Sequence, residues 1–232
     1  MTGKKTSKLD PAQVADTALR LLDEHGLDGL TLRAIARELD VQAPALYWHF
    51  KNKQALLDEM ATVMYRRMTA GPEGRPDPDL PWQERLLVVN RGLRAGLLRH
   101  RDGAKVYSGA RFTGVDHAVD MERELGALTA AGFALPDAVR ASTTAYLFTL
   151  GFVTEEQGTE PMPGERREGF DIAERAERLA AYPLAAAAGP QLFGNYDERF
   201  EAGLRLIVAG IEATYGPAAS TASNAPTAPT VP

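Results

Sequence analysis

The chain has no cysteine, which excludes disulfides, thiolate nucleophiles and thiolate metal sites. No stretch approaches eighteen uninterrupted apolar residues, so no transmembrane helix and no membrane partner are expected. The opening MTGKKTSKLD carries lysines without an apolar run behind them and does not read as a secretory signal. Cytoplasmic is therefore the expected location. Catalytic signatures are missing as well: there is no Gly-rich phosphate loop, GxSxG elbow or HExxH pair. Glu155 and Glu156 are adjacent on one helix and point apart, a poor acid–base pair, while His100 and His117 have no cysteine with which to hold zinc. The expectation is a protein that is not an enzyme and carries no metal or cofactor. No segment alternates like a strand, so the fold class read here is all-α.

What is present is ordinary for a globular protein: 44% hydrophobic and 25% charged residues over 232 positions, with a net charge of −5. The charge is unevenly placed. Residues 1–70 carry 10 Lys+Arg against 9 Asp+Glu, and the remainder 16 against 22. A mildly positive segment on an acidic body suits a protein that touches nucleic acid through a few placed residues rather than one that coats it. Residues 71–81, GPEGRPDPDLP, hold four prolines and two glycines and mark a domain boundary. The expected organisation is a DNA-binding domain with a linking fourth helix over 1–70, a helical regulatory and dimerisation domain over 71–216, and a disordered uncharged tail over 217–232.

The chain is organised around TLRAIARELDVQAPALYWHFKNK, residues 31–53. Leu32, Ile35, Ala36 and Leu39 follow the spacing of one buried helix face, Asp40-Val41 interrupts it, and Pro44 suits the first turn of a new helix. Leu46 and Phe50, four apart, face inward. Two short helices joined by a tight turn outline a helix-turn-helix. Periodicity alone fits two ordinary core helices equally well. The outward face of the second helix favours a DNA reader, because a Tyr-Trp-His run is costly to leave uncovered. The candidate DNA-binding residues are Thr31, Arg33, Gln42, Ala43, Pro44, Ala45, Tyr47, Trp48, His49 and Lys53. Arg33 could meet a guanine edge, clamp a phosphate or remain a bare surface arginine. Lys4, Lys5 and Lys8 form either a frayed terminus or a basic arm.

Elsewhere the spacing predicts a first helix capped by Asp10-Pro11 and stopped by Gly26, and a fourth capped by Asn52 with Leu56, Leu57, Met60, Ala61 and Met64 on one face. Further helices are expected over 82–99, in AKVYSGAR, through Met121, Leu125 and Leu128, from Pro136 to Glu155 or Glu156, over 171–182 and over 196–215. The Pro136 helix is expected to turn Val139, Thr143, Tyr146, Leu147 and Leu150 inward. The last helix lines up Phe200, Leu204, Ile207, Val208 and Ile211. With Val139, Thr143, Tyr146 and Leu147 these make a candidate dimerisation surface, half of a four-helix bundle, unless both faces are buried within one chain.

APALYWHFKNKQALLDEM, preceded by GLDGLTLRAIARELDVQ, resembles the DNA-binding domain of the tetracycline-repressor (TetR) family of bacterial regulators. RHRDGAKVYSGAR at 99–111 and FTLGFVTEEQ at 148–157 resemble the regulatory domain of the tetracycline repressors themselves. The resemblance implies a homodimeric, ligand-responsive repressor that binds a palindromic double-stranded operator and is released by a small-molecule effector. It also implies where this chain departs. Ala43 and Ala45 stand where those repressors carry a polar pair, so the operator is expected to differ. Tyr107 stands in place of the histidine that holds magnesium, and Thr69, Val89 and Leu93 replace drug-anchoring histidine, asparagine and phenylalanine. Glu124 replaces a glutamine, while Arg111 and Glu155 remain. The implied pocket has lost the magnesium–tetracycline chemistry. Its candidate lining is Leu93, Leu97, Tyr107, Arg111, Met121, Glu124, Leu125, Leu128, Phe148, Gly151, Phe152 and Glu155, a set suited to an apolar or aromatic molecule such as an antibiotic or related metabolite. The alternative reading is a small-molecule-binding or sequestering protein of the same fold without operator-specific DNA binding.

Overall fold

The computed structural model describes residues 9–71 and 75–216; the lysines of the suggested basic arm and the tail over 217–232 lie outside the described residues. Every regular element among them is a helix. The described chain divides into two compact units, each considered by itself.

The first unit comprises the chain through Gly71 together with Arg94–His117 and Val153–Phe170. Its opening helix, α1 (Pro11–Gly29), starts where Asp10 accepts the Ala12 amide at 3.2 Å, with proline in the first turn. Gly26, at φ 70° and ψ 176°, breaks its helical backbone three residues before the end, a conformation only glycine adopts without strain. Thr31 caps α2 (Leu32–Glu38) by accepting from the Ala34 amide at 3.1 Å. Asp40, at φ 53°, makes the turn into α3 (Ala43–Tyr47), and Asn52 caps α4 (Lys53–Ala70) through the Ala55 amide. Val14, Ala18, Leu22, Leu30, Ile35, Leu46, Phe50, Met60 and Met64 form the core of this segment, all 3% exposed or less.

On α4 the expected single apolar face is too narrow. Glu59, Thr62 and Val63 are buried as well, because residues 111–116 cover the polar side of the helix. Asp58 accepts the Arg111 amide at 3.0 Å, Thr62 Oγ1 the Thr113 amide at 2.9 Å and Glu59 the Thr113 hydroxyl at 2.6 Å, while Arg66 pairs with Asp116 at 2.7 Å. The unit also holds the last residues of α5 (Trp82–Leu98), then α6 (Gly103–Tyr107), and the end of α8 (Leu135–Thr159). There Arg94 and Glu156 form a pair that is largely buried, and Gln157 accepts the Ala104 amide and donates to the His100 carbonyl. These partners carry α8 one turn beyond the expected end.

The second unit comprises Pro72–Leu93, Ala118–Phe152 and the chain from Asp171. It contains most of α5, α7 (Asp116–Ala130) and α8, then α9 (Ile172–Arg178), α10 (Pro183–Ala187), α11 (Gly189–Phe193) and α12 (Tyr196–Tyr215). The one helix expected over 171–182 is short and is followed by two others. Trp82, Leu86, Leu87, Leu128, Phe133, Ala138, Ala141, Ala145, Phe200, Leu204, Val208 and Ile211 form its core.

Two expectations are corrected here. Val139 (44% exposed), Thr143 and Leu147 (58%) point outward from α8, and Tyr146 is only half-buried; Leu150 alone is buried as expected. The inner face is instead the line Ala138, Ala141, Ala145 and Thr149: the alanines share one core with Leu86 and Leu87 of α5, and Thr149 donates to Asn90 at 2.7 Å. Conversely, Phe200, Leu204, Val208 and Ile211 are buried inside their own unit, so these four offer no free surface for a second subunit, while Ile207 packs against them and stays half-exposed.

Candidate functional site

The helix-turn-helix is held from below and open above. Leu46 is fully buried and Phe50 3% exposed, and the amides of His49 and Phe50 both return to the Leu46 carbonyl, which ends α3 in a tight turn. Anchoring by two residues four apart turns the rest of the helix out. Tyr47 is 53% and Trp48 89% exposed; Gln42, Pro44 and His49 are exposed and Ala43 and Ala45 half-buried. The result is an aromatic ridge whose tips can donate and accept hydrogen bonds beside methyl groups, chemistry suited to base edges in a major groove. Arg33 is exposed on α2. Two candidates are already engaged: the Thr31 hydroxyl caps α2, and Lys53 Nζ donates to the Leu27 carbonyl at 3.0 Å.

The ligand candidates divide between the two units. In the first, Leu97 is fully buried and Tyr107 5% exposed, its ring 5.4 Å from Phe112, which also packs against Tyr65 and His117. Arg111 and Glu155 are exposed. In the second, Leu125 and Leu128 belong to the core or its margin, and Leu93 is half-buried. Phe148 stacks on Phe200 at 5.6 Å and Phe152 meets Phe200 edge-on. Glu124 is bound by the buried Arg85 at 2.8 Å. Met121 (55%) and Gly151 are exposed.

The sequence marks HRDG at 100–103 as a break and, by resemblance, HRDGAKVY as a candidate relay, but it gives none of the polar contacts made there. His100 Nδ1 lies 3.0 Å from the Asp23 carboxylate, the Arg101 amide donates to the same group, and Asp102 Oδ2 accepts the Leu27 amide at 2.9 Å beside the break at Gly26. Burial pushes the Asp102 carboxyl up, but bonds from Lys105 and the Leu27 amide, with the charges of Lys105 and Arg101, outweigh it and hold it below its ordinary value. The partners are some 75 residues apart, so no local pattern signals the contact.

Residues 14–60 match the family of bacterial regulatory proteins called tetR, and residues 75–215 match the tetracyclin repressor-like C-terminal domain. The chain belongs to the TetR family. It is 41% identical over 206 residues, 88% of this chain and 91% of the other, to the class A tetracycline repressor from transposon 1721 in Escherichia coli. A TetR protein from Acinetobacter baumannii solved with minocycline shares 32% identity, with a TM-score of 0.69 over 90% of this chain and 99% of its own. BioQ solved with its double-stranded DNA operator shares 32% identity, with a TM-score of 0.62 over 88% of this chain and 99% of its own, and BioQ of Mycobacterium smegmatis shares 32% identity, with a TM-score of 0.63 over 88% and 98%.

As a TetR-family member this chain is a transcriptional regulator, and its α3 is the second helix of the family's helix-turn-helix. Tyr107 does not fit the magnesium site that the resemblance implies: its ring is packed against Phe112, and a neutral phenol is a poor ligand for a hard cation. No helix among the described residues is long and apolar enough to cross a membrane.

Proposed function

We propose that two copies of this chain form a cytoplasmic repressor that reads a palindromic operator with paired α3 helices and releases it when a small molecule binds. The observation that carries this reading is the α3 ridge: Trp48 and Tyr47 stand largely in solvent on a helix that Leu46 and Phe50 hold rigidly. An exposed tryptophan has no role in the stability of its own unit and suits a surface that a duplex covers. Gln42, Ala43, Pro44, Ala45, Tyr47, Trp48 and His49 would contact DNA, with Arg33 beside them. Lys53 would contribute once freed from Leu27. A relative solved on its operator supports this role.

The same reading assigns residues 1–70 to DNA and 71–216 to regulation. The dimer surface it favours is the outward face of α8, with Val139, Thr143 and Leu147, together with Leu206 of α12, which is 75% exposed. The effector is an apolar or aromatic molecule with few polar groups, an antibiotic or related metabolite by likeness to the tetracycline repressors and the minocycline complex. Binding shifts the dimer only as far as the ligand prefers the released state. Asp102 is the relay, because its carboxylate holds the Leu27 amide at the end of α1. A gel shift with duplex from beside the chain's own gene tests the reading. Wild-type protein should retard it and Trp48→Ala should not, with unchanged thermal stability; retardation by both would refute the reading.

A further inference from the structure

The start of α12 carries two donors with nothing to donate to. Tyr196 is 8% exposed and its hydroxyl has no hydrogen-bond partner among the described residues; Arg199 Nη1 is likewise buried and unpartnered. The two residues are three apart, on one face of the helix. The Arg199 guanidinium lies 5.2 Å from the centre of the Tyr196 ring and 5.5 Å from that of Phe152, which meets Tyr196 edge-on at 6.2 Å. Phe148 and Phe200 continue the aromatic wall. Arg85, whose Nε is also buried and unpartnered, and Arg91 differ in each holding a carboxylate, Glu124 and Glu201 respectively. A buried hydroxyl or guanidinium N–H left without an acceptor is costly, and both occurring against one set of rings is a strong imbalance.

We propose that Tyr196, Arg199 and Phe152 form an anion subsite that receives the carboxylate or phenolate of an aromatic ligand, its ring lying against the phenylalanines. An oxyanion supplies the acceptor that both donors lack, and a charge-assisted bond to arginine is the strongest of the hydrogen bonds available there. Both donor atoms are closed to solvent in the free chain, so the anion enters as the half-exposed Arg199 side chain rotates. Asp197 and Glu198 occupy the first turn of this helix, so the preference for an anion rests on the Arg199 and Tyr196 donors and not on the helix field. The proposal deepens the reading of the chain as an effector-responsive regulator and rests on it.

The test is calorimetric titration of the full chain, without DNA, using 2-naphthoate and its neutral counterpart 2-naphthalenemethanol. Binding alone is read, so failure here is distinct from failure to bind or release an operator. Wild-type protein should prefer the carboxylate by tenfold or more. Arg199→Met should abolish that preference, Arg199→Lys should keep part of it, and Tyr196→Phe should reduce it about threefold or more. Because the hydroxyl is unsatisfied in the free chain, Tyr196→Phe should also melt no lower than wild type without ligand. Equal affinity for the two probes, no binding of 2-naphthoate, an unchanged preference in Tyr196→Phe or in a folded Arg199→Met, or a lower melting temperature for unliganded Tyr196→Phe would each overturn the proposal. The last would mean that the hydroxyl already has a partner, such as a second copy of the chain.

Discussion

Replacing Thr113 by valine isolates the polar clasp on α4. Thr113 is itself exposed, and an exposed Thr→Val change away from special features alters stability by about 0.5 kcal/mol at most. Here the hydroxyl is the donor to Glu59 Oε2 at 2.6 Å, and Glu59 is only 8% exposed. Valine keeps the shape and the amide bond to Thr62 but leaves the carboxylate without that donor. A hydrogen bond to a charged group contributes roughly 1.5–3 kcal/mol, and leaving its buried partner unsatisfied costs at least as much. The expected loss is therefore about 2 kcal/mol, or about 4–8 °C in melting temperature for a chain of this size. Thermal unfolding at fixed protein concentration reads it. Glu59→Leu placed in the same chain should recover most of the loss, since removing both partners of a bond is far milder than orphaning one. A Thr113→Val melting temperature within 1 °C of wild type would refute the reasoning.

Three further outcomes are expected. Gly26→Ala should destabilise by about 1–3 kcal/mol, because alanine does not tolerate φ 70° with ψ 176° and its Cβ would stand 3.2 Å from Asp102 Oδ2; a chemical-denaturation midpoint equal to wild type would contradict this. Leu147→Glu should shift sedimentation equilibrium from dimer to folded monomer, whereas Leu204→Ala, at a fully buried site, should instead cost about 2–5 kcal/mol of stability. Glu201 is held below the ordinary carboxylate range first by its hydrogen bond from Arg91, so its contribution is present at neutral pH and is lost as pH falls through its lowered value. Glu201→Gln should accordingly lose less stability than wild type on acidification, by a fraction of a kcal/mol because the pair is one-third exposed; parallel pH profiles would refute the assignment.

Much of the DNA-reading segment was legible because its signals are local. Asp10-Pro11, Thr31 and Asn52 each cap a helix through an amide two or three residues away, and Leu46 and Phe50 declare the inward face of α3 by their spacing. Legibility failed where the decisive partner is distant. Nothing near Glu59 or Thr62 signals that residues 111–116 will cover them, and the Asp23–His100 contact spans 77 positions. The inner face of α8 is masked for another reason: both sides of the helix are apolar, and the bulkier side looks like core although the alanine side is the one buried. On α12 the apolar face was read correctly, but periodicity does not say whether a chain buries such a face itself. Pro183 and the Gly189-Pro190 pair divide an alanine-rich stretch into α10 and α11, units too short to show a period.

The central claim is that paired α3 helices read a two-fold symmetric duplex. In vitro selection from a random duplex library tests it most directly. The account predicts enrichment of an inverted repeat with half-sites about one helical turn, roughly 34–36 Å, apart, bound by two protomers and lost with Trp48→Ala. Failure to enrich any sequence, or enrichment of a single unpaired half-site bound by one protomer, would contradict it.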